Sequence, residues 1–164
     1  MPLRNCALLR PPKTVSRPAL VAAAACRDGC GTAEPAPPLP DQPVEVTLLP
    51  WPVEGGDFRL RHKTSDRGFY DEARAAAGTF EVIFRDADGF LTEGSFTSIF
   101  LERGGKLITP PLARGLLPGV LRAQLLDEGR AEEGDLRPAD LAGGFLLGNA
   151  VRGLVPARLS SEAA

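Results

Sequence analysis

The chain has 164 residues, 43% of them hydrophobic, which is enough for one domain with a sizeable core. Its net charge of −2 gives nucleic-acid binding no support. The longest purely apolar run, residues 19–26, is far short of the roughly 20 that a membrane helix needs, and a coiled coil is equally disfavoured.

Ten of the sixteen prolines fall in residues 1–50, including the run Pro35-Ala-Pro-Pro-Leu-Pro40. Such a stretch favours extended or polyproline backbone and resists helix. Residues 1–42 therefore read as a poorly ordered Pro/Ala-rich leader or linker, and residues 43–164 as the folded domain. The basic start (Arg4, Arg10, Lys13, Arg17) before residues 19–26 faintly resembles an export signal. Its apolar part is short and alanine-weighted, so the reading is cytoplasmic. Cys6, Cys26 and Cys30 are three, with no second Cys or His cluster. They make a poor zinc set and a poor disulfide framework, and read as reduced cytosolic thiols with no metal site.

From residue 43 the pattern becomes regular. Val44, Val46 and Leu48 alternate with other residues, which predicts a strand. Residues 66–77 are rich in Ala, Glu and Arg and stop at Gly78, which predicts a helix closed by glycine. Phe80, Val82 and Phe84 alternate as a strand, and residues 86–89 have turn chemistry. Residues 96–102 and 106–109 flank Gly104-Gly105 as a hairpin. Pro118 suits the first turn of a helix that continues through residues 120–127. Residues 138–142 predict a short second helix, and residues 145–147 and 151–155 two closing strands. The order is mixed rather than a regular βαβ alternation, so the predicted class is α+β.

Scarce residues narrow the chemistry. His62 is the only histidine, so a histidine triad must use it, and a lysine-based site must choose among Lys13, Lys63 and Lys106. Lys63 lies near Arg59, Arg61 and Arg67. Neighbouring cations and burial lower a lysine pKa and free its amine for Schiff-base chemistry; a solvated basic loop is the plainer alternative. Glu93 sits among small polar residues beside strand-forming ones, where a carboxylate could orient a cationic ring or act as a base. The loop before Pro118-Gly119 opens into a helix start, whose N–H groups and dipole suit an anion or phosphate. It is not a P-loop, because Gly-Lys-Ser/Thr is absent. Asn149, between two strands, could donate to a phosphate or simply shape a turn.

Four segments, in this order and spacing, carry a resemblance. They are His62-Lys-Thr-Ser-Asp-Arg-Gly-Phe-Tyr70, Leu91-Thr-Glu-Gly-Ser-Phe-Thr-Ser-Ile-Phe100, Thr109-Pro-Pro-Leu-Ala-Arg-Gly-Leu-Leu-Pro-Gly-Val120 and Gly148-Asn-Ala-Val-Arg-Gly-Leu154. Together, over about residues 43–160, they resemble the class IV aminotransferase family. They look most like its aminodeoxychorismate lyase branch, as found in the C-terminal part of bifunctional para-aminobenzoate synthases. The resemblance implies the C-terminal domain of the D-amino acid aminotransferase-like fold, a mixed sheet or pseudo-barrel with few helices. It implies pyridoxal 5′-phosphate (PLP) as cofactor and a small-molecule substrate.

By the same resemblance, Lys63 matches the Schiff-base lysine that also shuttles the substrate's α-proton. Glu93 matches the carboxylate paired with the pyridine nitrogen. Gly119 and Val120 match backbone donors to the cofactor phosphate, and Asn149 a further phosphate contact. Tyr70 is a candidate partner for the ring hydroxyl, or a packing residue. Ser98 stands where many relatives have asparagine. The implied reaction eliminates pyruvate from aminodeoxychorismate to give 4-aminobenzoate, a folate precursor. A class IV amino acid aminotransferase and a non-catalytic fragment are the alternatives. Full-length members are homodimers with an N-terminal domain ahead of the lysine. Only 62 residues precede Lys63 here, so the chain reads as a partial copy resembling the C-terminal half.

Overall fold

The computed structural model describes residues 20–22, 33–35, 38, 41–54 and 56–161. Cys6, Cys26, Cys30, Lys13 and most of the proline run lie outside the described residues. The chain divides into two units, Met1–Ala36 and Pro37–Ala164. In the first unit, β1 (Leu20–Ala22) pairs antiparallel with β2 (Ala33–Pro35), with Val21 opposite Glu34.

The second unit is built on an eight-stranded mixed sheet. Its strands are β3 (Val44–Pro50), β4 (Glu81–Arg85), β5 (Leu91–Gly94), β6 (Ser98–Arg103), β7 (Lys106–Thr109), β8 (Ala131–Glu133), β9 (Phe145–Asn149) and β10 (Gly153–Leu159). The spatial order is β5-β4-β3-β10-β9-β6-β7-β8. The β3–β4, β3–β10 and β7–β8 pairs are parallel, and the remaining neighbours antiparallel. The sheet curls until its β5 edge meets the segment after β8, where the Leu91 N–H donates to Leu136 O at 2.8 Å.

Curling gives the sheet an inside and an outside. Val46, Ile83, Ile99, Leu136, Leu147 and Val155 fill the inside as one buried cluster. Strand alternation then sends Val82 and Phe84 of β4 to the other face, where they meet α1 (Gly68–Ala77) through Tyr70. Trp51 stacks on Phe84 with ring centres 4.6 Å apart and planes 3° from parallel. On the far side, α2 (Val120–Asp127) lays Leu125 against Phe100 and Ala131. Arg122 of α2 is buried and donates to Pro110 O at 2.8 Å and to the Glu133 carboxylate, tying the helix to β7 and β8.

The α+β expectation holds, with a mixed sheet and few helices. The predicted helix at residues 66–77 starts two residues later, at Gly68, with Gly78 as its left-handed C-cap. Pro118 precedes rather than opens α2, whose N-cap is Gly119. The strand expected from Phe96 begins at Ser98, because residues 95–97 bend around a buried side chain described below. The last strand runs over Gly153–Leu159 rather than residues 151–155, and includes Pro156 opposite Leu146. The short helix at residues 138–142 is a 3₁₀ turn, Pro138–Gly143.

Phe84 is fully buried between Trp51 and Tyr70. Phe84→Ala is expected to cost about 3–5 kcal/mol of stability. The check is a urea titration followed by the fluorescence of the single tryptophan. A lower midpoint with little change in slope is expected, and an unchanged midpoint would contradict this packing.

Candidate active site

One cavity of about 360 Å³ gathers the five residues matched to the cofactor in the sequence: Lys63, Glu93, Gly119, Val120 and Asn149. They arrive from four different stretches. Lys63 comes from the turn before α1, Glu93 from β5, Gly119 and Val120 from the start of α2, and Asn149 from the end of β9. His62 is exposed and does not line the cavity.

Lys63 is exposed, on the turn ahead of α1. Its arginine neighbours are also partly spoken for. Arg59 grips Asp57, with Nη2 to Oδ2 at 2.7 Å, and reaches Asp66 at 3.2 Å. Arg67 donates to Ser95 O at 2.8 Å and lies 3.7 Å from Asp71. Arg61 is exposed and shares the cavity wall with Lys63 and Arg67.

Glu93 is the electrostatic centre. It is 5% exposed, its Oε1 accepts from the Tyr70 hydroxyl at 2.7 Å, and its Oε2 accepts from the Leu117 N–H at 3.0 Å. Burial pushes its pKa from an ordinary 4.5 up to about 7, against the pull of the two donors. Tyr70 is shifted upward as well, chiefly by burial and then by the Glu93 charge. The sequence left Tyr70 between packing and the cofactor ring. The structure shows a buried, packed ring whose hydroxyl belongs to Glu93.

The start of α2 is open in a way that suits an anion. The first bond reaching the helix backbone is Ala123 N–H to Gly119 O at 2.9 Å, and no side chain caps the first turn. The N–H groups of Val120 and Leu121 precede that bond. The Gly119 N–H is itself turned to Leu117 O at 2.9 Å. Gly119 instead allows close approach of a neighbour: a Cβ there would lie 2.8 Å from Ser98 Oγ. Asn149 is mostly committed within the protein. Its Oδ1 accepts from the Val151 and Arg152 N–H groups at 3.0 and 2.9 Å, and its Nδ2 donates to Phe96 O at 3.2 Å.

Sequence reasoning missed Glu81. It is fully buried on β4 and touches the cavity wall from behind. Its available signal was a lone charge within the apolar run of residues 80–84.

A carboxylate with a raised folded-state pKa makes the folded protein bind an extra proton between pH 4.5 and about 7. Its contribution to stability is present below that window and is lost as pH rises through it. Glu93→Gln is expected to remove on the order of 1–3 kcal/mol of this decline. The check is the urea midpoint at several pH values between 5 and 8. Asp57, Glu128, Glu133 and Asp135 are shifted downward by their partners and act at lower pH. Identical pH profiles in the two proteins would contradict the assignment.

The chain matches the family "Amino-transferase class IV" over residues 14–159, which carries the likeness upstream of residue 43. It is 33% identical over 141 residues to the aminodeoxychorismate lyase of Saccharomyces cerevisiae, covering 72% of this chain and 37% of the relative. It is 40% identical over 53 residues to a branched-chain-amino-acid aminotransferase assignment in Thermotoga maritima, covering 32% and 19%. The chain thus spans roughly a fifth to just over a third of these curated relatives. Among solved structures it resembles a Mesorhizobium loti protein assigned as an amino-acid aminotransferase, with TM-score 0.71, 41% identity, 86% of this chain and 71% of that one. The PLP-bound form of a hypothetical aminotransferase from Mycobacterium tuberculosis shares the fold at TM-score 0.64 and 23% identity, over 80% and 56%. Motif order, curled mixed sheet and family match agree, and the chain belongs to the PLP-dependent class IV aminotransferases.

Proposed function

We propose that this chain carries the cofactor-holding part of a PLP-dependent 4-amino-4-deoxychorismate lyase. The observation behind the reading is the convergence of Lys63, Glu93, the α2 start and the turn at residues 148–151 on one cavity. The yeast lyase relative supports the choice of reaction.

The residues present fit PLP on three counts. The first turn of α2 lines the cavity with no side chain capping it, which suits a phosphate. Glu93, balanced near neutrality, suits a shared proton with a pyridine nitrogen. Lys63 supplies an exposed amine on the same wall. When bound, PLP supplies an electron sink for the carbon that bears the substrate's amino group.

The rest falls to the chain's own side chains. Lys63 Nζ anchors the cofactor and moves the proton at the amino-bearing carbon. Glu93 holds a proton against the ring nitrogen, with Tyr70 and the Leu117 N–H fixing its two oxygens. Arg61 and Arg67 add positive charge to the wall, which suits a substrate bearing carboxylates. The C–O bond to the pyruvyl group breaks, and the two products, 4-aminobenzoate and pyruvate, account for all of the substrate's atoms. Other family members' oligomeric habit points to a homodimer as the working unit. A second reading, transfer of an amino group between amino and keto acids, is favoured by the likeness to the Mesorhizobium loti protein.

Incubation with PLP, borohydride reduction and peptide mass spectrometry test the cofactor site. Label is expected on Lys63 and lost in Lys63→Ala; label on Lys106 or spread over surface amines would overturn the assignment. Glu93→Ala is expected to keep the label while cutting 4-aminobenzoate formation on the order of 100-fold or more. Amino transfer to 2-oxoglutarate without 4-aminobenzoate would select the second reading. A chain that takes no PLP would be a non-catalytic fragment.

A further inference from the structure

Glu81 is a charged side chain where the pattern calls for an apolar one. It opens β4, opposite Val46 of β3, and every residue from Glu81 to Phe84 is buried. Alternation puts Glu81 on the same face as Ile83, toward the inside of the curled sheet. A buried carboxylate costs several kcal/mol unless donors replace its water. A leucine would serve the core without that cost.

The donors say what the carboxylate does there. Oε1 accepts from the Ser95 N–H at 2.9 Å, from Ser95 Oγ and from the Val82 N–H at 2.9 Å. Oε2 accepts from Thr97 Oγ1 at 2.7 Å and from the Phe96 N–H at 3.2 Å. Four of these five donors belong to residues 95–97, and all three residues line the cavity. The outward carbonyls of the same loop are held too, Ser95 O by Arg67 and Phe96 O by Asn149. Gly94 lets the carboxylate approach: a Cβ at that position would lie 2.7 Å from Glu81 Oε2 and 2.5 Å from Thr97 Oγ1. Gly94 directly follows Glu93.

We propose that Glu81 is a positioning residue of the cofactor cavity, whose buried carboxylate fixes the wall at residues 95–97 and, through Gly94, the setting of the Glu93 carboxylate. The role toward PLP rests on the proposed function; the setting of Glu93 does not. Glu81 reaches neither the cavity space nor a reacting atom and acts through the loop. Glu81→Gln keeps the shape but turns one accepting oxygen into a donor facing donors.

The test compares wild type with Glu81→Gln in three measurements. Amide hydrogen exchange at residues 94–97 is expected to quicken about tenfold or more, with β9 and β10 unchanged. The pH window that depends on Glu93, read as the difference from a Glu93→Gln background, is expected to move down toward 4.5. Loosening admits water, and the like charge of Glu81 is removed; Tyr70, the Leu117 N–H and Arg67, the other groups that act on Glu93, stay in place. PLP affinity, read by absorbance titration, is expected to fall on the order of tenfold. A general loss of stability alone would lower the urea midpoint without moving the Glu93 window, and that result would overturn the proposal, as would unchanged exchange at residues 94–97. If the wild-type chain takes no PLP, the proposed function fails, while exchange and the Glu93 window still decide the role of Glu81. Should Glu81→Gln not fold, Ser95→Ala and Thr97→Ala remove single donors and are expected to show smaller shifts in the same directions. Their absence would count against the proposal.

Discussion

A carboxylate taken out of water must be surrounded by donors, and a donor that serves it is fixed in place by doing so. Glu81 and Glu93 impose that condition at two neighbouring points of the curled sheet. Glu93 draws the Tyr70 hydroxyl from α1 and the Leu117 N–H from the segment leading to α2. Glu81 draws the chain that links β5 to β6. The helix, the approach to the second helix and the cavity wall thus take their positions from two side chains.

The segment that supplies Leu117 is held at its other end by charge. Arg114 pairs with Asp135 at 2.7 Å and Asp86 at 3.2 Å, and its guanidinium lies 3.7 Å from the centre of the Phe90 ring. Arg137 lies 3.9 Å from the same ring. Exposed ion pairs taken singly are weak. Here several share one arginine that is only about a fifth exposed, and each ties a different loop to it. Their effect is on where Leu117 stands more than on how stable the domain is.

Much of this was legible in the sequence. The alternation of Val44, Val46 and Leu48, the Gly78 stop and the Gly104-Gly105 hairpin are local signals, and local backbone chemistry fixed them. The four motif segments marked every stretch that lines the cavity. What stayed hidden was set by contacts between distant residues. Leu91-Thr-Glu-Gly94 has too many polar residues to read as a buried strand, yet all four are buried because Glu93 and Thr92 find partners in Tyr70, Leu117 and Phe84. Glu81 is a lone charge among apolar residues, and nothing near it in sequence shows the 95–97 loop wrapped around it. Tyr70 and Asn149 stand out as candidates, but Tyr70 donates to a residue 23 positions away, and Asn149, besides its neighbours Val151 and Arg152, to one 53 positions away. Spacing alone cannot show such partners.

The position of β3 sets the order in which this domain can be completed. It stands between β4 and β10 and is parallel to both. The three strands carrying Glu81 and Glu93 join the other five through the β3–β10 seam, where Glu45 meets Arg158 across 113 residues of chain. Lys63 and Glu93 lie ahead of the sequence that forms α2 and Asn149 on the far side of that seam. Contacts so distant in sequence form slowly, because a long loop must close before they repay its entropy. Strand β10 must therefore emerge from the ribosome before the two halves of the cavity can be locked together. Until then, the unpaired edge of β3 is open to misassociation, a hazard during synthesis that the finished sheet conceals.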